Sequence, residues 1–178
     1  MQVAPFLSRP LAVFAVISLF LMGAFAARAD QPANPQDPAG WWVVSGGNGA
    51  IFITHCGGQL CGNLDWLRVP LEGGLPKTDK HNPNEALRPR LLCGLPVMGQ
   101  FNPDGQGGWE GGWAYDPTTG KTYKTNLHVG EDGKLHVHGY IGIPLIGLTK
   151  IMTRPATPLQ HCVVGSTAAQ PAGAAPVQ

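Results

Sequence analysis

The feature that most constrains the fold is a series of short segments in which apolar and polar residues alternate, each ended by Gly, Pro, Asn or Asp. A period of two is typical of a β-strand with one buried face, and no stretch of a dozen residues shows the 3.6-residue period of an amphipathic helix. The pattern predicts eight strands, at residues 40–44, 50–56, 60–68, 95–101, 109–115, 122–129, 134–141 and 148–154. Their turn-like connections favour an all-β fold, a small up-and-down antiparallel β-barrel with one long loop, and a two-sheet sandwich is the alternative.

The content of 25 Gly and 17 Pro in 178 residues approaches the range in which chains become disordered. A hydrophobic fraction of 43% and the lack of a fixed Gly or Pro period argue against disorder throughout. A formal net charge of +1 lacks the basic character of a nucleic-acid binder, so we expect no nucleic-acid partner.

Both termini differ in composition from the central region. Arg9, an apolar run at residues 11–24 and the triplet Ala27-Arg28-Ala29 predict a signal peptide over residues 1–29, with an uncleaved anchor as the alternative. Residues 30–39 are predicted to be a flexible leader, 40–158 the barrel domain, and 159–178 a disordered Ala/Pro/Gln tail. We therefore expect an exported protein, most simply periplasmic, with no transmembrane segment after cleavage.

Alternation also predicts a register between two strands. Pairing Val129 with Leu135 keeps the apolar residues of 122–129 and 134–141 on one face, whereas a one-residue slip would turn one set to water. The same register places His128 opposite His136.

An oxidising compartment makes disulfides the expected state of the four cysteines. Cys56 and Cys61 flank a four-residue loop, and paired strands would direct both side chains to one side, so we predict a disulfide between them. Zinc ligation and a Cys61–Cys93 pair are the alternatives, and Cys162 is either free or joined to Cys93.

A Trp in the first strand and an Arg in the last are expected to meet, since these strands are neighbours in a closed barrel. Gly40-Trp41-Trp42 opens the first strand and Arg154 closes the last, which permits a guanidinium to lie over the Trp42 indole. This arrangement resembles the G-x-W signature and partnering Arg of lipocalin and calycin barrels. The alternative is a core Trp42 and a solvated Arg154.

Residues 69–94 form a long connection with four Pro, in which residues 82–87 are expected to make one short helical turn. Polar side chains are concentrated there, and an acid/base site is one interpretation. Turn capping and Arg–carboxylate pairing is the other, and we assign no catalytic residue. The loop candidates are Asp79, Asn82, Arg88 and Arg90.

The three histidines of the last strands are candidate metal ligands, because imidazole suits Zn, Cu or Ni. His128, His136 and His138 lie on one face of the predicted strands, and the alternative is a solvated sheet face. We predict no metal and no cofactor.

Five phrases together resemble the domain of unknown function 2147 family of small exported bacterial proteins. They are the runs 56–62, 77–79 with 92–95, 109–112, 115–117 with 120–123, and 139–147 before Thr153-Arg154. The resemblance covers residues 40–154 and implies a calycin-like barrel in the envelope of a Gram-negative bacterium, with no established activity.

From this architecture we expect a binding module for a small apolar ligand, with the long loop near the barrel mouth. A structural or envelope-interaction protein with a filled barrel is the first alternative. An enzyme using the 69–94 loop is the second, and the absence of known catalytic motifs makes enzymatic activity the less favoured interpretation. The predicted ligand contacts, all expected in the barrel interior, are Trp66, Trp113, Tyr123, Leu127 and Val137.

Overall fold

Ten β-strands and one short 3₁₀ turn make up residues 34–162, the part of the chain that the computed structural model describes. The predicted signal peptide, residues 30–33 of the leader and the tail from residue 163 lie outside the described residues. The strands are β1 (Gly40–Val43), β2 (Gly49–Cys56), β3 (Gln59–Leu67), β4 (Leu71–Glu72), β5 (Leu75–Pro76), β6 (Leu95–Pro103), β7 (Gly108–Asp116), β8 (Lys121–Val129), β9 (Leu135–Tyr140) and β10 (Gly147–Met152), and the 3₁₀ turn is Glu85–Leu87.

Eight of these strands form one antiparallel sheet in the order β1-β2-β3-β6-β7-β8-β9-β10, which confirms the all-β, up-and-down prediction. The sheet curls until the chain after β10 reaches β1. There the Val43 amide donates to the Thr153 carbonyl at 2.8 Å, and the Thr153 amide donates back at 3.2 Å. Away from this bridge, β10 is exposed from Gly147 to Ile151.

The predicted register of the last strands is confirmed, since Val129 pairs with Leu135 and His128 with His136. Alternation then directs Leu127, Val129, Leu135 and Val137 to the inner face, where they join one apolar core. The core side chains with no exposed surface are Trp42, Ile53, Leu60, Phe101 and Leu135.

A β-bulge in β3 reverses the direction of one side chain. Ala50 pairs with Trp66 but Ile51 pairs with Leu64, so Asp65 is an extra residue in β3. Leu64 belongs to the inner core, whereas Trp66 lies in a second cluster on the outer face with Val43, Ala50 and Leu159.

The folded part of the chain extends further at both ends than the sequence predicted. Pro38 is fully buried and its carbonyl accepts a 2.6 Å hydrogen bond from the Trp42 indole. Leu159, expected to begin the tail, is 8% exposed and packs in the outer cluster. Both contacts involve residues outside the alternating segments. Apolar periodicity therefore does not predict that these residues are buried.

Two disulfides account for all four cysteines. The predicted Cys56–Cys61 bond joins the ends of β2 and β3, with 6.0 Å between the Cα atoms. Cys93 pairs with Cys162, one of the two states predicted for Cys162, and the Cys61–Cys93 alternative is excluded. Two disulfides are consistent with an exported protein.

The long connection between β3 and β6 is structured. The predicted helical turn is present as the 3₁₀ turn Glu85–Leu87, whose preceding Asn84 side chain accepts from the Ala86 amide. The β4–β5 hairpin was not predicted, because each strand has only two residues and no alternation can be seen in so short a segment.

Candidate functional site

The predicted contact between Trp42 and Arg154 is present. The Arg154 guanidinium carbon lies 3.9 Å from the centroid of the Trp42 ring. The same guanidinium donates to the carbonyls of Ala39 at 2.6 Å and Asp37 at 2.8 Å. Gly40 has a φ of 106°, and a Cβ there would lie 2.7 Å from the guanidinium. Position 40 of the G-x-W motif therefore favours glycine, because the Arg154 guanidinium packs against the backbone there.

Three of the four loop candidates meet at a buried carboxylate. Asp79 has no exposed surface and accepts hydrogen bonds from the Tyr115 hydroxyl at 2.6 Å, the Asn82 amide at 2.7 Å and the Arg90 guanidinium at 2.8 Å. Arg88 joins one step further out, donating to the Asn82 carbonyl at 2.9 Å. Tyr115, which sequence analysis missed, lies 36 residues away in β7, and no local pattern connects it with the loop.

Electrostatics favour one protonation state of this cluster. Burial tends to raise the pKa of Asp79, but the hydrogen bonds from Tyr115, Asn82 and Arg90 outweigh it, so the pKa lies below its usual value. Burial and the neighbouring carboxylate raise the pKa of Tyr115 to about 12. At neutral pH the hydroxyl is therefore a neutral donor and Asp79 an ionised acceptor.

The cluster attaches the long loop to the barrel. Thr78 bridges to Leu91 across the loop, and a Cβ on Gly120 in the β7–β8 turn would collide with the carbonyl oxygen of His81. Because the Asp79 carboxylate is enclosed and accepts hydrogen bonds from a β7 residue and from two residues of the loop, the arrangement suits positioning of the loop against the barrel.

The inner face of the sheet has a filled part and an open part. Alternation and register place Ala114, Tyr123, Gly139 and Leu148 on this face next to the core. Ala114, Tyr123 and Gly139 are half-buried, and Leu148 is 73% exposed. We call these four residues the open patch. It is an apolar surface that the side chains of the described residues leave partly uncovered.

The predicted ligand contacts fall into three groups. Tyr123 lies in the open patch, and its Cβ is 3.5 Å from where a Gly139 Cβ would be. Leu127 and Val137 are on the inner face but are 2% and 5% exposed within the core. Trp66 and Trp113 are not on the inner face, so their placement there was wrong.

Strand irregularities explain both misplacements. The β3 bulge turns Trp66 outward, as described above. Trp113 pairs with Gly99 and lies between two inward residues, Gly112 and Ala114, so its indole covers Gly99 on the outer face. Large apolar residues are not assigned to a face reliably when a bulge shifts the alternation.

The three histidines do not converge. His128 stacks on His136 with 5.0 Å between ring centroids, and His136 approaches Asp132 at 3.4 Å. His138 instead contacts the Pro144 carbonyl at 2.7 Å. Among residues 34–162, no three His, Cys, Asp or Glu side chains are grouped so that they could hold a metal ion.

An open groove of about 460 Å³ lies at the other end of the barrel, between the β6–β7 and β8–β9 turns. Its lining combines the charged side chains of Asp104, Glu110 and Glu131 with the apolar residues Trp109, Leu127 and Val129. No helix within the described part of the chain is long and apolar enough to span a bilayer.

Comparisons with known proteins agree with this architecture. The model of a family described as an uncharacterized protein conserved in bacteria (DUF2147) matches residues 40–154. Among solved structures, protein HP1028 from the human pathogen Helicobacter pylori, described as belonging to the lipocalin family, is similar. It shares 22% identity and a TM-score of 0.58, with 67% of this chain and 84% of that chain covered. No curated protein matches the chain.

Proposed function

Since the chain belongs to the DUF2147 family of bacterial proteins and has a lipocalin-like fold, we propose that it is a binding module for a small, largely apolar ligand of the cell envelope. The uncovered open patch supports this proposal most directly. Barrels of this size either fill their interior with their own side chains or hold one small ligand, and this sheet fills only part of its inner face.

The patch has the composition of a ligand surface. Tyr123 and Leu148 supply apolar contacts, Gly139 leaves space between them, and Lys150 is on the same face of β10. Apolar surfaces with a few polar groups at the border are typical of small-molecule sites. The ligand is therefore an apolar molecule, and Lys150 favours one that carries an anionic or strongly polar group.

The long loop contributes by position. The β3–β6 loop and the β7–β8 and β9–β10 turns connect strands at one end of the barrel, the end where the patch opens. The Asp79 cluster fixes the loop at that end through Tyr115. In this proposal the loop candidates maintain the shape of the mouth and do not react with the ligand.

A fluorescence titration with 1-N-phenylnaphthylamine, a neutral apolar probe, tests the patch. We expect saturable enhancement with the native chain and at least about tenfold weaker binding after Tyr123→Ala, which removes most of an aromatic contact. Trp113→Ala is the matched control, because Trp113 is a half-buried aromatic residue of the neighbouring strand that faces outward. Equal losses in both variants, or no saturable binding by the native chain, would refute the assignment.

We also propose that the chain acts in the periplasm after cleavage of residues 1–29. The features of a signal peptide support this: Arg9, the apolar run at residues 11–24 and the triplet Ala27-Arg28-Ala29. The two disulfides support it as well. Fractionation of the producing cells, with the N-terminus of the purified protein sequenced, checks it. Intact residues 1–29 on a membrane-bound protein would contradict it.

A structural or envelope-interaction role without ligand is the second candidate. The observation that favours it is the tight core beside the patch, where Trp42 and Phe101 have no exposed surface. A native chain that does not bind the probe, together with a stable complex with an envelope partner, would favour this role.

A further inference from the structure

The connection between β9 and β10 carries a group of exposed apolar side chains that ligand binding does not explain. Ile141 is 74% exposed, Ile143 56%, Leu145 89% and Ile146 70%. We call these four residues the apolar tip. Single exposed apolar residues are ordinary, but several in one short connection mark an interaction surface.

The backbone of this connection is held in place. His138 donates from Nε2 to the Pro144 carbonyl at 2.7 Å, and its Nδ1 lies 3.1 Å from the Thr149 hydroxyl. The Ile146 amide donates to the Ile143 carbonyl at 3.2 Å. These contacts restrain the backbone of the connection, and such restraint lowers the entropy cost of docking.

The segment that carries the tip has no negatively charged side chain. Residues 133–178 contain no Asp or Glu. Lys150 lies in β10 after the tip, and Lys124 pairs with Tyr140 immediately before it. An anionic partner surface would therefore meet no nearby repulsion from this segment.

Charge is also distributed unevenly between the two ends of the barrel. The connections at the tip's end, with the strand residues that border them, carry six cations and four carboxylates: Arg68, Lys77, Lys80, Arg88, Arg90 and Lys121 against Glu72, Asp79, Glu85 and Asp116. The opposite end carries four carboxylates and two cations: Asp37, Asp104, Glu131 and Asp132 against Lys134 and Arg154. This asymmetry would orient the molecule with the tip toward a negatively charged surface.

We propose that the apolar tip docks on the surface of an anionic phospholipid bilayer. The four side chains enter the boundary between head groups and acyl chains, Tyr140 lies at head-group depth, and Lys124 meets the lipid phosphates. Peripheral segments bind in this way through apolar insertion combined with attraction to anionic lipid. The proposal goes beyond ligand binding and is independent of it.

Co-sedimentation with vesicles tests the docking. The full chain is mixed with vesicles of phosphatidylglycerol and phosphatidylethanolamine, or of phosphatidylcholine alone. We expect clear binding to the first and much weaker binding to the second. Leu145→Asp combined with Ile146→Asp should weaken binding to anionic vesicles at least about tenfold, because both apolar groups are lost and negative charge is introduced.

Leu75→Asp is the matched control. Leu75 is 71% exposed in the β4–β5 hairpin, so this substitution makes outside the tip the same change that Leu145→Asp alone makes within it, and the two single variants are compared. Its binding should stay within about twofold of the native chain. Circular dichroism of each variant verifies folding, which substitutions at such exposed positions should preserve.

Three results would overturn the proposal. The first is no binding of the native chain to anionic vesicles, and the second is an equal loss with Leu75→Asp. The third is a dimer in light scattering that the tip substitutions dissociate, since the tip's occupant would then be a second copy of the chain. Lys124→Gln should weaken binding to anionic vesicles and leave binding to phosphatidylcholine vesicles unchanged.

The two proposals can fail separately. The tip substitutions should leave the 1-N-phenylnaphthylamine titration unchanged, and Tyr123→Ala should leave vesicle binding unchanged. If one substitution abolishes both properties in a folded protein, tip and patch form a single surface and the independent docking proposed here is wrong.

Discussion

At the scale of single residues, Asp79 shows how a polar loop can be held without a hydrophobic core of its own. Its carboxylate is enclosed and accepts from three side chains, one of them Tyr115 in β7. The loop candidates Asp79, Asn82, Arg88 and Arg90 could be selected from the sequence, because charged and amide side chains concentrate in that segment. Tyr115, the partner of Asp79 in β7, could not be selected from the sequence, because the contact depends on the position of β7 in the folded barrel.

Asp79→Asn should lower the free energy of unfolding by about 2 kcal/mol at neutral pH, because an ionised acceptor of three hydrogen bonds is lost. Urea denaturation measures the change. Glu110→Gln, at an exposed carboxylate of β7, is the control and should have little effect.

The dependence of the unfolding free energy on acidic pH tests the same carboxylate. The pKa of Asp79 is lower in the folded chain than its usual value of 3.8, so its contribution is present above about pH 4 and is lost as the pH falls through the folded value. The difference in stability between the native chain and Asp79→Asn should shrink in that range. A difference that stays constant would show that the charge of Asp79 is not the stabilising feature.

Gly40 is the second residue with a specific steric role. Gly40→Ala should cost about 2 kcal/mol, because a side chain is strained at a φ of 106° and its Cβ would approach the Arg154 guanidinium. Gly58→Ala is the control, since Gly58 also has a strained positive φ of 85° but nothing lies within 4 Å of its Cβ position. Thermal unfolding separates them. Equal losses would mean that the approach of Arg154 contributes nothing.

At the scale of elements, alternation predicted all eight strands of the large sheet and the pairing of Val129 with Leu135. Side chains of a strand alternate between its two faces, so a strand with one buried face has an apolar residue at every second position. The same rule failed at Trp66 and Trp113. A bulge shifts the period by one residue, and the sequence around Asp65 carries no mark of it. The segment after β10 was missed for a related reason, since its anchors, Asp65 and Cys93, are distant in sequence.

The two disulfides should differ in their contribution to stability. Cys93–Cys162 closes a segment of 69 residues and Cys56–Cys61 one of 5, so chain entropy assigns about 4 kcal/mol to the first and about 2 kcal/mol to the second. Denaturation of Cys93→Ser/Cys162→Ser and of Cys56→Ser/Cys61→Ser compares them. We expect only the first pair to increase the exposure of Trp66, because Leu159 covers it. A larger loss from the second pair would contradict this ranking.

At the scale of the whole molecule, the curled sheet divides into a filled region around Trp42 and Phe101 and an open patch around Tyr123 and Leu148. The sequence predicted the barrel but not this division, because the two ends of the sheet meet through tertiary contacts that alternation does not predict, such as the Val43–Thr153 bridge and the bond from the Ser45 hydroxyl to the Ile151 carbonyl. Burial of each inner residue follows from how far the strands close around it. This is why Leu127 and Val137 could be placed inside while their full burial could not be predicted.

The open patch is the central claim, and native mass spectrometry of the protein purified gently from its own cells tests it most directly. We predict a population heavier than the polypeptide by the mass of a small molecule, released by organic solvent and reduced in Tyr123→Ala but not in Trp113→Ala. A mass equal to the polypeptide alone in every preparation would contradict the account, and the barrel would then be a filled structural module.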